Sequence, residues 1–322
     1  MPPSIQSPES ATARTRVRRH RWSALGTVCE IHYACENDAL AARFEREAVA
    51  WVEAFESRCS RFRPDSLLSR INAAAGMAWI HIDPEMEQLL RFCGSLHQLT
   101  RGALDPTATP VLRLWDYKSP TPRIPSDTEI ASALRLVGWQ KVRIEPGRVL
   151  LPEPGMALDF GGWGKEYAVD AVAALARSLG IDRALIDFGH DLMAVGAAPG
   201  KPGWHIGLEN PANPSGPCLG SLAAADLAVA SSGDYLRGFT LGGRRYGHII
   251  DPRTGRPVDN GCRQVTVVAP GCLLAGALST ALFILGPEAG LALAAEFPDA
   301  EARIITDTAL HQSRGFYRHV VS

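Results

Sequence analysis

Four glycine-bearing clusters limit how this chain can fold: Asp159-Phe-Gly-Gly-Trp-Gly-Lys165, Asp187-Phe-Gly-His-Asp191, Ser231-Ser-Gly-Asp-Tyr235 and His248-Ile-Ile-Asp-Pro-Arg-Thr-Gly255. Each interrupts short apolar runs, and glycine beside aspartate or serine is a common recipe for a tight turn. The middle of the chain therefore reads as short strands joined by turns, at 184–188, 192–196, 205–208, 227–230, 248–250 and 264–268. Helices flank them. Leu40, Phe44, Val52 and Phe55 fall at helical spacing after an alternating strand at 27–33. Asp83-Pro84 has the form of an N-cap followed by proline, opening a helix to Leu99, and Ser126-Asp-Thr-Glu129 is a capping box opening one to Val137. A β pattern over 141–158 turns at Glu145-Pro-Gly147, and a helix from Lys165 to Leu179 is stopped by Gly180. Helices at 273–285 and 288–296 and strands at 303–306 and 315–320 close the chain. Helices early and late with directly connected strands between them predict an α+β fold and not a doubly wound parallel sheet. Residues 1–22 read as a disordered basic tail and 23–322 as one domain, with the proline-rich stretch 117–126 as a surface loop or the sole boundary candidate.

With 322 residues, 46% of them apolar, the chain can bury a sizeable core. A formal net charge of −1 supplies no general field for nucleic acid or an anionic membrane, so an anion site has to be built locally. No apolar window has the length of a membrane span, and none follows the basic run at 16–21 as a signal peptide requires. The seven cysteines are scattered, odd in number and never spaced for zinc, which suits reduced thiols and a cytoplasmic location.

Taken singly, each glycine cluster is more simply a turn. The one at Gly161 and Gly162 has a second reading: a strand-to-helix turn from Gly162 to Lys165 aims free N–H groups at an anion, and a pyrophosphate suits it. Lys165 strengthens that reading, because a cation at a helix N-terminus is unfavourable unless an anion sits there. Neither GxGxxG after the first strand nor a P-loop is present. Ser232, His248 and Asp251 could be imagined as a triad, but no G-x-S-x-G elbow supports one.

In order along the chain, these clusters resemble the FAD:protein FMN transferases, the ApbE family. The carrying residues are Leu25-Gly-Thr27, Ser60-Arg-Phe-Arg-Pro-Asp-Ser-Leu-Leu-Ser-Arg-Ile-Asn72, Leu104-Asp-Pro-Thr107, Leu158-Asp-Phe-Gly-Gly-Trp-Gly-Lys-Glu-Tyr-Ala-Val-Asp170, the three later glycine clusters, and Gly276-Ala-Leu-Ser-Thr-Ala-Leu282. The resemblance spans about 24–297 and implies antiparallel sheets packed with helices in an ApbE-like (T-fold-like) architecture. It implies that FAD is the substrate, that Mg²⁺ lies at the pyrophosphate, and that FMN passes to a threonine or serine of a partner flavoprotein in trans with release of AMP. It assigns the cofactor contacts to Leu25, Ser60, Phe62, Asp105, Gly161, Gly162, Lys165, Asp170, Asp191, Ser232, Gly233 and Tyr235. His248 becomes the candidate base for the incoming hydroxyl, and Asp251 the residue that orients it or the site.

The pattern breaks at the metal. Family members hold it by a carbonyl, here Gly164, by a threonine, here Thr280, and by an aspartate whose position is Gly276 in this chain. Trp163, Glu166 and His190 depart from the pattern in the same motifs. Two readings stay open: Glu166 or His190 supplies the missing ligand, or the chain keeps its flavin, or hydrolyses FAD, without transfer.

Overall fold

The computed structural model describes residues 16–235 and 237–321. Its centre is an eight-stranded sheet of β1 (Val17–Ala24), β2 (Thr27–Ala34), β3 (Ala184–Phe188), β4 (Asp191–Val195), β5 (Ala228–Gly233), β6 (Cys262–Ala269), β7 (Glu301–Thr306) and β8 (Leu310–Gln312), whose order in space is their order in the chain. Every neighbouring pair is antiparallel. Antiparallel strands need no crossover, so the helices enter as excursions between successive strands.

Four of these helices matter for the site or its support: α1 (Asp38–Cys59), α2 (Gly164–Ser178), α3 (Cys272–Leu285) and α4 (Pro287–Ala294). Helix α1 begins where Asn37 accepts the Leu40 N–H (3.1 Å) and buries Ala41, Phe44, Ala48, Val52, Phe55 and Cys59, a single stripe at three- and four-residue spacing. Helix α3 is apolar nearly all round because it is buried between the sheet and its helical neighbours.

The sheet is covered on both faces. On one, Ile186, Phe188, Met193, Val195, Ala230 and Val267 pack with residues of the four helices. On the other, Leu192, Ala194, Val229 and Val268 meet a three-stranded sheet of Trp204–Leu208, Gly220–Ala224 and Val320–Val321. Strand β4 is thus buried at every residue and, after Asp191, reads as a continuous apolar run, not an alternating one. A second core joins the end of α1 to the helix Pro84–Leu99 and the hairpin around Glu145 and Arg148, and ends at Phe160 and Trp163 just before α2.

Three sequence expectations are corrected. The basic tail does not extend to 22: β1 starts at Val17 and pairs with β2 along its whole length, with Arg19 on Glu30 (2.6 Å), so the basic run is sheet; residues 1–15 lie outside those described. The strand expected at 315–320 is a 3₁₀ turn, Phe316–His319, that seats the fully buried Phe316 under the second sheet. The strand expected at 248–250 shrinks to Ile250–Asp251 paired with Arg256–Pro257.

At the end of β4, Gly196 has φ +54°, and a Cβ there would lie 2.2 Å from the Asp182 carbonyl oxygen. Gly200 has φ +71° with open space around it. Gly200→Ala should therefore cost about 1 kcal/mol for its backbone conformation alone, whereas Gly196→Ala should cost roughly 1–3 kcal/mol more from overpacking. Urea unfolding of the two variants checks this, and equal losses would refute the close approach.

Candidate active site

The turn before α2 is held from two sides. Gly164 N and Trp163 N donate to the Phe160 carbonyl (2.6 and 3.1 Å), Gly161 N donates to Asp159 Oδ1 (2.9 Å), and Arg61 Nε donates to Asp159 Oδ2 (2.7 Å). No side chain caps α2, because the cap position is Trp163, whose ring is buried against Phe92, Phe160 and Tyr167. Gly161 and Gly162 are exposed. The helix therefore opens with uncapped N–H groups and its positive dipole end at a bare glycine turn, which is an anion seat.

The first side chains of α2 point into a buried polar group. Lys165 Nζ pairs with Asp191 and stands 3.2 Å from Glu166 Oε1. Asp191 Oδ1 accepts the Ser231 N–H (3.2 Å), tying α2 to the facing ends of β4 and β5. At the next residue of β5, Ser232 Oγ lies 2.8 Å from Ser279 Oγ and 3.0 Å from Thr280 Oγ1 on α3. Lys165, Asp191, Ser232, Thr280 and the Gly161–Gly164 turn are thus brought together. Glu166 completes the group: its side chain is 9% exposed, and its Oε2 is buried without a hydrogen-bond partner. Among the described residues no three His, Cys, Asp or Glu side chains gather around one point. A divalent ion here has to draw on one or two carboxylates with hydroxyl, carbonyl and phosphate oxygens, a donor set that suits Mg²⁺.

Other expected residues have different positions or tasks. Leu25 sits at the β1–β2 hairpin tip with φ +54°, donating its N–H to Glu56 Oε1 (3.1 Å) and packing between the two main cores. Phe62 is 77% exposed with the Arg61 guanidinium 4.1 Å from its ring centre, leaving an aromatic face for a ligand. Ser60 folds its own segment, its carbonyl accepting from Ser66 Oγ (2.7 Å), and Asn72 pins that segment to Leu158 through both amide atoms (2.7 and 2.9 Å). Tyr235 donates to Glu209 and accepts from Gln264 (3.1 Å); its ring edge would be 2.5 Å from a Cβ at Gly233.

Three carboxylates assigned to ligand or catalytic contacts serve the backbone or a neighbouring arginine. Asp105 accepts from Thr107 N (2.8 Å), Thr107 Oγ1 (2.5 Å) and Trp139 N (3.2 Å), closing a loop. Asp170 accepts from Cys272 N (2.8 Å) and Leu273 N (2.9 Å) and so caps α3; burial raises its carboxyl pKa. Asp251 holds Arg253 through two guanidinium bonds (2.9 and 2.8 Å) and has no bond to His248. It orders its own turn and does not orient the histidine. Arg61 and Asp159, which clamp the glycine turn, were not singled out from sequence, because nothing local links residues 98 positions apart.

His248 donates its backbone N–H to the Arg237 carbonyl (3.2 Å), packs edge-on to Tyr117, and keeps a buried Nδ1 with no partner. Burial, reinforced by Arg237, lowers its pKa to about 4. The unfolded chain binds that proton more readily, so stability conferred by neutral His248 is complete above pH 6.5 and falls as pH drops toward 4, by roughly 3 kcal/mol in all. His248→Phe should flatten that part of the stability–pH curve measured by denaturant unfolding; an unchanged slope would place the acid sensitivity elsewhere.

Comparison with known proteins bears on family and fold. The ApbE family model matches residues 25–304. The FAD:protein FMN transferase of Vibrio cholerae is 30% identical over 274 residues, 84% of this chain and 82% of that protein. That of Treponema pallidum is 30% identical over 314 residues, 92% and 87% of the two chains. Among solved structures, the ApbE protein of Thermotoga maritima superposes with a TM-score of 0.86 at 29% identity, covering 95% of this chain and all of that one. The flavin transferase ApbE of Vibrio cholerae does so at 0.84 and 27%, covering 94% and 100%. The α+β architecture expected from the turns is the architecture of those structures, and the chain belongs to the ApbE family.

Proposed function

We propose that this protein is a FAD:protein FMN transferase, moving the FMN half of FAD to a threonine or serine hydroxyl of a separate acceptor flavoprotein and releasing AMP. The observation that carries the reading is the uncapped glycine turn opening α2 directly beside the Lys165–Asp191 pair and the Ser232 and Thr280 hydroxyls. It supports a pyrophosphate seat with polar groups converging on one side. The two relatives named FAD:protein FMN transferase support the same chemistry.

In bond terms, the acceptor oxygen joins the flavin-side phosphorus and the bond from that phosphorus to the bridging oxygen breaks. AMP leaves with the bridging oxygen, and the hydroxyl proton passes to a base. Such transfers depend on positioning and charge neutralisation more than on covalent chemistry by the enzyme. The turn N–H of Gly162 and the Lys165 ammonium would hold the phosphates, with Gly161 held to Asp159 as the frame of the turn, while the exposed Phe62 ring offers a stacking face for the flavin. His248 is our candidate base, since burial keeps its imidazole neutral near pH 7 with a free ring nitrogen. Magnesium, when bound, supplies charge neutralisation at the pyrophosphate; Thr280, the Gly164 carbonyl and the free Glu166 oxygen are the protein groups that would hold it. Seven unpaired thiols, six of them buried, suit a reducing compartment, and we assign the protein to the cytoplasm.

Incubation with FAD, MgCl₂ and a serine- or threonine-containing acceptor peptide should yield AMP and flavin-bearing peptide in equal amounts. AMP without labelled peptide would make the protein a hydrolase, and neither product would make it a flavin binder. His248→Ala should leave FAD binding intact and slow transfer by ~10²–10⁴-fold; an unchanged rate in a folded variant would return His248 to the core.

A further inference from the structure

Gly276 lies where α3 crosses the start of α2, and its missing side chain is not empty space. A Cβ built there would stand 2.4 Å from Glu166 Cγ, 3.0 Å from its Cδ and 3.2 Å from its Oε1. Position 276 and Glu166 therefore compete for one volume: either can send a carboxylate into it, but not both without displacement. We infer that the carboxylate of the divalent-cation site has changed helices, with Glu166 of α2 filling the place that an aspartate at position 276 of α3 would occupy, and Gly276 making the room.

Three further observations point the same way. Glu166 Oε2 is buried and unpartnered, and a buried carboxylate oxygen without a donor is costly. Lys165, Asp191 and Glu166 bring two negative charges against one positive, so this buried group carries an excess of one negative charge that a cation would balance. Thr280 is one helical turn beyond Gly276, and its hydroxyl, with that of Ser232, is the neighbouring neutral donor. His190, the other candidate compensator, is exposed at the β3–β4 hairpin tip with φ +71°, and its ring makes no hydrogen bond or ion pair to a described residue. The inference rests on the transferase reading for the identity of the ion, taken as Mg²⁺, but its test does not depend on transfer.

The test is Mn²⁺ binding by EPR, displaced by MgCl₂, on the full chain with saturating FAD and no acceptor, alongside melting curves in chelator. Glu166→Gln and Glu166→Gly should each weaken Mn²⁺ at least tenfold, since even residues that only support ligands are worth that much. Gly276→Asp alone should lower the melting temperature in chelator because of the clash. Glu166→Gly combined with Gly276→Asp should recover both the melting temperature and the Mn²⁺ affinity, a coupling that neither single change foretells. Wild-type affinity in Glu166→Gln, a double variant no better than Glu166→Gly, or loss of Mn²⁺ on His190→Gly instead, would each overturn the inference. AMP release and peptide labelling are read separately: Glu166-dependent Mn²⁺ binding in a protein that labels no peptide keeps this inference and removes the transferase assignment, and labelling with Glu166-independent Mn²⁺ binding does the reverse.

Discussion

Asp170 on α2 accepts the backbone N–H groups of Cys272 and Leu273, and the site inherits its register from that pair of bonds. Glu166 stands one turn before Asp170 on α2, and Gly276 one turn after Cys272 on α3. Once the cap fixes which turns of the two helices face each other, Glu166 must face Gly276, and Ser279 and Thr280 must face Ser232. The carboxylate meets the positive end of α3, an interaction worth typically ~0.3–1 kcal/mol at a surface and up to ~2 kcal/mol when partly buried. Its larger effect is geometric, because a slip of one residue between the helices would move Gly276 away from Glu166.

The second tie runs through Asp191. It receives Lys165 from α2 and the Ser231 N–H from β5, so the phosphate turn, the β3–β4 hairpin and the end of β5 move as one body. That hairpin closes with Gly189 and His190 both at positive φ, the form a two-residue turn takes when its twist matches the strands. His190 and Leu25 hold left-handed conformations on adjacent hairpins; non-glycine residues there are strained, and such strain persists only where the surroundings over-determine it. Trp163 has a packing role: its ring joins an aromatic cluster that completes the second core.

Local chemistry was legible in the sequence. The caps at Asp83 and Ser126 act within three residues, and the structure shows each accepting the bond its spacing announced. The family motifs likewise named Lys165, Asp191, Ser232 and Thr280, which lie near one another in the structure. What was hidden depends on partners far away in the chain. An aspartate reads the same whether it meets a ligand or a backbone N–H, which is why Asp105, Asp170 and Asp251 were assigned to ligand or catalytic contacts. The Gly220–Ala224 strand and the Gly238–Leu241/Arg244–Gly247 hairpin escaped notice because glycine- and arginine-rich segments lack the alternation that marks a half-buried strand. Glu166 facing Gly276 is the same problem at its most consequential, two unremarkable letters that acquire meaning only when the helices cross.

The sequential order of the central sheet leaves its outer strands with one partner each, and β1 is such an edge among the described residues. An unpaired strand edge invites another chain to add to it, and charged side chains are a common deterrent. Along β1, Arg18, Arg19 and Arg21 recur between less polar residues, with Arg18 bound to the Cys35 carbonyl (2.7 Å) and Asp38, and Arg19 to Glu30. Anchoring to their own protein fixes these guanidinium groups along the rim, where an approaching strand would have to strip them of water. The basic run that read as a disordered tail is thus the charged rim of the sheet.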